Sequence, residues 1–181
     1  MIGVRLPGPA FGFFGSMAVI ALALTLAGCS GKSAEEVTCP AAAIAPDLDA
    51  VAIFPPGSAA DPATLQAAGK IFSINSQCNG EKGGIVVNTS IVFNMVRQSP
   101  NVQRVEYVYF VAVIDSARNI LNEQRFTLAA DFGSASFRQY VEKISVHLPL
   151  DHVSSGDGYT VVTGFQLTPD QLDFNRTHKS Q

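Results

Sequence analysis

The 181-residue chain contains no Trp, only three Cys and few charges, with Asp, Glu, Lys and Arg making up 15% of it. No three basic residues cluster anywhere, which excludes a basic footprint for nucleic acid and docking to anionic lipid by charge. No C-x-x-C pair, no G-x-S-x-G elbow and no G-x-x-x-x-G-K-[ST] loop occurs, so the sequence carries no signature of a thiol redox centre, an α/β-type hydrolase or a phosphate cradle. Unbroken apolar runs of the roughly 20 residues that a membrane-spanning helix needs are also absent. The longest candidate, Phe11 to Leu26, is interrupted by Gly12, Gly15, Ser16 and Thr25.

What is present begins at that N-terminus. Arg5 and the terminal amine form a short positive region, and the apolar stretch ends in Leu26-Ala27-Gly28-Cys29. This is the three-part layout of a secretory signal, and the last four residues resemble the lipobox of bacterial lipoproteins. The resemblance implies transfer of a diacylglyceryl group to the Cys29 thiol, removal of residues 1–28 and, usually, acylation of the new amino terminus. Two or three chains give stable anchoring where one gives only marginal binding. Ser30 follows the cysteine. Asp at that place often marks retention in the inner membrane, so the outer membrane, facing the periplasm, is the expected location and the inner membrane the alternative.

Removal of 28 residues leaves 153, one domain's worth and enough to bury a core. All 15 acidic residues and 11 of the 12 basic ones follow residue 28, a mature net charge of −4. With Cys29 carrying lipid, Cys39 and Cys78 remain as a pair. An oxidising periplasm would join them, closing a loop of about 40 residues worth roughly 4 kcal/mol on the chain-entropy model. The competing reading, a redox or metal site, has neither a C-x-x-C pair nor a nearby His in its favour.

Residues 29–38 read as a tether, and 39–181 as a single β domain with an N-terminal segment wrapped over it. That segment, to Gly69, is rich in Ala and Pro. It offers a short strand at Ala50–Phe54, a sharp stop at Pro55-Pro56-Gly57, and a helical turn with Asp61 as N-cap, Pro62 at N1 and Gly69 as C-cap. Beyond Lys70 the chain alternates with period two. Candidate strands are Ile71–Cys78, Ile85–Val96, Arg104–Asp115, Ile120–Ala129, Arg138–Leu148 and Tyr159–Leu167. The stretches 79–84, 99–101, 115–119 and 156–158 read as turns. Six or seven strands without a long amphipathic helix predict a mainly β, antiparallel two-sheet sandwich, immunoglobulin-like in the broad sense, with a small barrel as the alternative. The missing Trp removes the buried indole of antibody domains. Thr168-Pro169-Asp170-Gln171 is a capping box with Pro at N1. It predicts a short C-terminal helix through Arg176 that could cover a sheet edge. Arg104–Asp115 is unusual because Val108, Phe110, Ala112 and Ile114 make its second face apolar as well. Either the N-terminal wrap or the C-terminal helix covers that face, or it docks a partner or acyl ligand.

Tyr109-Phe110-Val111-Ala112-Val113 and Gly164 to Leu172, closing on Asn175-Arg176, resemble segments of small uncharacterised alphaproteobacterial envelope lipoproteins. That group carries no activity to transfer. His147, His152 and His178, with Asp151 and Asp157, show no spacing of a zinc or calcium site. Asp131-Phe132-Gly133 spells a kinase triplet without the motifs that accompany it, and reads as a turn at a strand end. The expectation is a non-enzymatic lipoprotein with no catalytic residue, cofactor or metal. It would be anchored to the membrane through Cys29 and work through an envelope protein partner, not nucleic acid. The alternative is a binding module for a small or amphipathic ligand, and an envelope hydrolase is the third reading.

Overall fold

The computed structural model describes residues 37–150 and 155–178. Leu26-Ala27-Gly28-Cys29, Asp151 and His152 lie outside them. Eight strands and a helix follow one another: β1 (Ala41–Ile44), β2 (Ala50–Ile53), β3 (Ala67–Glu81), β4 (Gly84–Arg97), β5 (Arg104–Ile114), β6 (Ile120–Asp131), β7 (Phe137–Pro149), β8 (Thr160–Phe165) and α1 (Pro169–His178). They form two four-stranded sheets, ordered β1-β8-β5-β6 and β2-β3-β4-β7, packed face to face.

Period-two alternation is what makes these segments strands. Ile85, Val87, Ile91, Phe93 and Met95 of β4 are buried on one side, and Tyr107, Tyr109, Val111 and Val113 of β5 meet them from the other sheet. Phe93 packs on Tyr109 with ring centroids 4.8 Å apart and on Phe165 at 5.8 Å. Tyr109 stacks on Phe126 at 5.3 Å. Each fully buried side chain of this size contributes about 1.5–3 kcal/mol, so these facing rows supply most of the cohesion between the sheets.

Several local expectations change. The Ala/Pro-rich segment supplies two strands, β1 and β2. β1 pairs with β8 in parallel, with Ala41 opposite Thr160, so one pairing in the sandwich is not antiparallel. The tether is shorter than its composition suggested, because Thr38 bridges Ser155 and accepts a 2.7 Å hydrogen bond from the Gly156 N–H. Asp61 does cap a helical turn, accepting from the Ala63 N–H at 2.8 Å, but the turn is a single 3-10 piece, Pro62–Thr64. Gly69 is not its C-cap. It lies inside β3, where an added Cβ would fall 2.7 Å from the Met95 sulfur. β3 and β4 run on past the expected turn to Glu81 and Gly84, leaving a two-residue connection, Lys82-Gly83.

The second apolar face of β5 has a local cause. Phe110 stands opposite Gly164 of β8. An added Cβ on Gly164 would lie 3.0 Å from the Phe110 ring and 2.8 Å from Leu48 Cβ. The ring therefore folds over the bare glycine, and the β1–β2 connection closes on it through Leu48. Ala112 is buried as a result, while Val108 stays 41% exposed. The helix packs on β2.

Candidate functional site

The most elaborate side-chain arrangement among the described residues joins α1 to the β2 edge. Thr168 and Gln171 form the expected capping box. The Thr168 N–H donates to Gln171 Oε1 at 2.9 Å and the Gln171 N–H to Thr168 Oγ1 at 3.3 Å. This reciprocal bond fixes the start of the helix. It also aims the Gln171 amide, whose Nε2 donates to the Ala52 carbonyl at 2.8 Å. One turn later the buried Asn175 donates through Nδ2 to the carbonyls of Asp47 and Ala50, at 3.0 and 2.7 Å. Ala50 and Ala52 belong to an edge strand, so two side-chain amides stand where a neighbouring strand would have paired. Arg176 reaches the Asp47 carboxylate at 3.4 Å, and Asp47 itself adopts a φ of 66°. Phe174 packs edge-on against Phe54 at 5.1 Å and stacks on His178 at 4.2 Å.

Between this helix and the outer face of the β2-β3-β4-β7 sheet lies an open groove of about 460 Å³. Its floor is Ala50, Ala52, Ala68, Lys70, Asn94 and Val96. Phe137 stands on one side, and Phe174, Asn175 and His178 on the other. The lining mixes apolar side chains with Asp49, Lys70, Asn94, Asn175 and His178. Such a surface can hold an apolar group beside a polar one. It brings together no nucleophile and base in the described contacts.

The residues that the sequence singled out are scattered. Cys39 and Cys78 are joined in a disulfide with their Cα atoms 5.5 Å apart. His147 sits on the outer face of β7 opposite Val86. Asp157 lies in the turn before β8, its N–H bonded to the Ser155 hydroxyl. His178 is at the end of α1, where its ring stacks on Phe174. Among the described residues no three His, Cys, Asp or Glu side chains gather as a metal set. Asp131-Phe132-Gly133 forms the β6–β7 connection, with Phe132 in the core and the Gly133 N–H bonded to the Asp131 carboxylate at 3.1 Å.

Two core phenols were not foreseen as special. Burial, and then Tyr140, push Tyr107 far above the ordinary phenol range. Burial, and then Glu142, do the same for Tyr109. The Tyr107 hydroxyl has no hydrogen-bond partner among the described residues. A phenol shifted upward holds its proton and is a poor acid near neutral pH, so these groups read as packing residues. No helix among the described residues is long and apolar enough to cross a membrane. No family model matches the chain, and no curated protein or solved structure matches it either.

Proposed function

We propose that this chain is a lipid-anchored envelope protein that acts through protein contacts rather than catalysis, with Cys29 as the acylated residue. The observation that carries it is Leu26-Ala27-Gly28-Cys29 at the end of an interrupted apolar run. The cysteine pattern supports it. Cys39 and Cys78 are consumed by one disulfide, which suits an oxidising compartment and leaves Cys29 as the remaining thiol. Metabolic labelling with a palmitate analogue tests the anchor. The wild-type chain takes up label and Cys29→Ala does not; equal labelling of both removes the proposal.

The groove beside α1 favours a second reading, a carrier of a small amphipathic ligand. A ligand with an apolar body and a polar head suits the Phe174 and Phe137 walls and the Val96 floor, with Lys70, Asp49 and His178 around them. Mass spectrometry of an organic extract of the purified protein should then show one dominant compound that Lys70→Glu depletes. An extract without any such compound removes this reading.

A further inference from the structure

The described chain starts at Val37, and its first residues are held at one end of the sandwich. Thr38 bridges Ser155, and Cys39 is bonded to Cys78. Ala41, Thr160, Ile114 and Ile120 then form a single row across β1, β8, β5 and β6. At about 4.8 Å per strand this row spans roughly 15 Å. The β5–β6 hairpin therefore emerges from the same end as the chain's entry point. Phe137, at the start of β7, lies toward the other end: nine positions separate it from Val146, which shares a row with Val87 and Cys78, roughly 30 Å at about 3.3 Å per residue.

That hairpin carries an irregularity. Ile114 pairs with Ile120 while Val113 pairs with Asn122, so Leu121 has no residue opposite it. The bulge leaves two consecutive large aliphatic side chains in water, Ile120 at 63% and Leu121 at 50% exposure. The other large exposed hydrophobics, Phe72, Val108, Phe137 and Val141, are not adjacent in sequence. The turn that presents the pair is braced. Asp115 accepts from the Asn119 N–H and from its side-chain amide, both at 2.8 Å. Arg118 takes the left-handed conformation that closes the turn, at φ 66°.

We infer that Ile120 and Leu121 insert into the lipid surface to which Cys29 is anchored, making the β5–β6 hairpin a second membrane contact that orients the sandwich. This rests on the proposed acylation of Cys29. Val37 is eight positions after Cys29, a reach of at most about 29 Å when fully extended. The hairpin end is thereby confined to the neighbourhood of the bilayer. A contact too weak to hold a free protein is sufficient once a tether raises its local concentration. The charges at this end are of both signs, Glu81, Asp115 and Asp157 with Lys82 and Arg118, and form no basic cluster, so the contact is apolar rather than electrostatic.

Because the chain has no Trp, Leu121→Trp places a single fluorescent reporter at the tip. The full, processed protein is reconstituted in phosphatidylethanolamine–phosphatidylglycerol vesicles, and Phe137→Trp serves as a reference. With Leu121→Trp the emission shifts to the blue, and bromolipids quench it at least about twofold, as a side chain buried roughly 5–10 Å into the headgroup–acyl boundary requires. With Phe137→Trp it does neither. Unshifted, unquenched emission from palmitate-labelled, vesicle-bound Leu121→Trp overturns the inference and leaves the anchor standing. Equal quenching at both positions also overturns it, because the domain would then have no preferred end toward the lipid. Absence of palmitate label removes the anchor and the inference together.

Discussion

At the residue scale, the two central tyrosines show how a β core treats polar atoms. Tyr107 is 1% exposed and packs against Phe165 at 6.2 Å, yet its hydroxyl is without a partner among the described residues. A buried hydroxyl in that state loses hydration with nothing in return, at a cost of about 1–3 kcal/mol. Tyr107→Phe keeps the ring and removes the oxygen. Its unfolding free energy from urea denaturation should equal or exceed that of the parent, by up to about 2 kcal/mol. A loss beyond about 1 kcal/mol would show that the hydroxyl is bonded after all. The raised phenol gives the same substitution a pH signature. An acid held protonated by the fold contributes fully below its unfolded value of 10.0 and loses that contribution as pH rises above it. The parent should therefore lose stability above that pH more steeply than Tyr107→Phe. Alternation identified Tyr107 as an inward side chain. The fate of its hydroxyl depends first on burial between the two sheets and then on Tyr140 of the opposite sheet, and no local pattern encodes that.

At the scale of elements, α1 acts as an edge guard. The capping box and Pro169 made its start legible, since both are local chemistry within four residues. Its docking site was not legible. Asn175 bonds carbonyls more than a hundred positions earlier in the chain, at Asp47 and Ala50. Asn175→Ala should cost about 1–3 kcal/mol, the penalty of leaving buried carbonyls unpaired. With the guard loosened, the β2 edge becomes available to other strands. Chemical denaturation measures the first effect and light scattering on storage the second. Unchanged stability would mean that the two amide bonds are dispensable. β1 escaped the sequence reading for a related reason. Ala41-Ala42-Ala43-Ile44 has weak strand preference, and it becomes a strand because β8 offers it an edge to pair with in parallel. Gly69 misled in the opposite direction. A glycine after a helical turn suggests a cap, whereas here the sulfur of Met95 leaves no room for a side chain.

At the scale of the whole molecule, the disulfide ties the entry of the chain, just ahead of β1, to β3 in the other sheet. It links the two sheets covalently across one end, over a sequence separation of 39. The Cys39→Ser/Cys78→Ser double variant should lose about 2–4 kcal/mol in denaturation, and reductant should lower the parent by a similar amount. Equal stability of the reduced and oxidised forms would assign the bridge a role other than stabilisation. The same end of the sandwich carries the bulged hairpin, so the covalent tie also holds Ile120 and Leu121 in a constant relation to the point where the tether enters.

What the sequence by itself determined is whatever depends on near neighbours. This covers the period-two strands from Lys70 onward, the capping box at Thr168, and the sandwich class that follows from alternation without long helices. The pairing of Cys39 with Cys78 was reached by counting, on the expectation that Cys29 carries lipid. Only the tertiary structure decided the pairings over long separations: β1 alongside β8, the β2 edge beneath Asn175 and Gln171, Phe110 over Gly164 with Leu48 against it, and the hairpin at the same end as Val37. The physical reason is that a strand's pattern specifies which face turns inward but leaves its neighbours undetermined. Those are chosen by the summed packing and hydrogen bonding of the whole sheet.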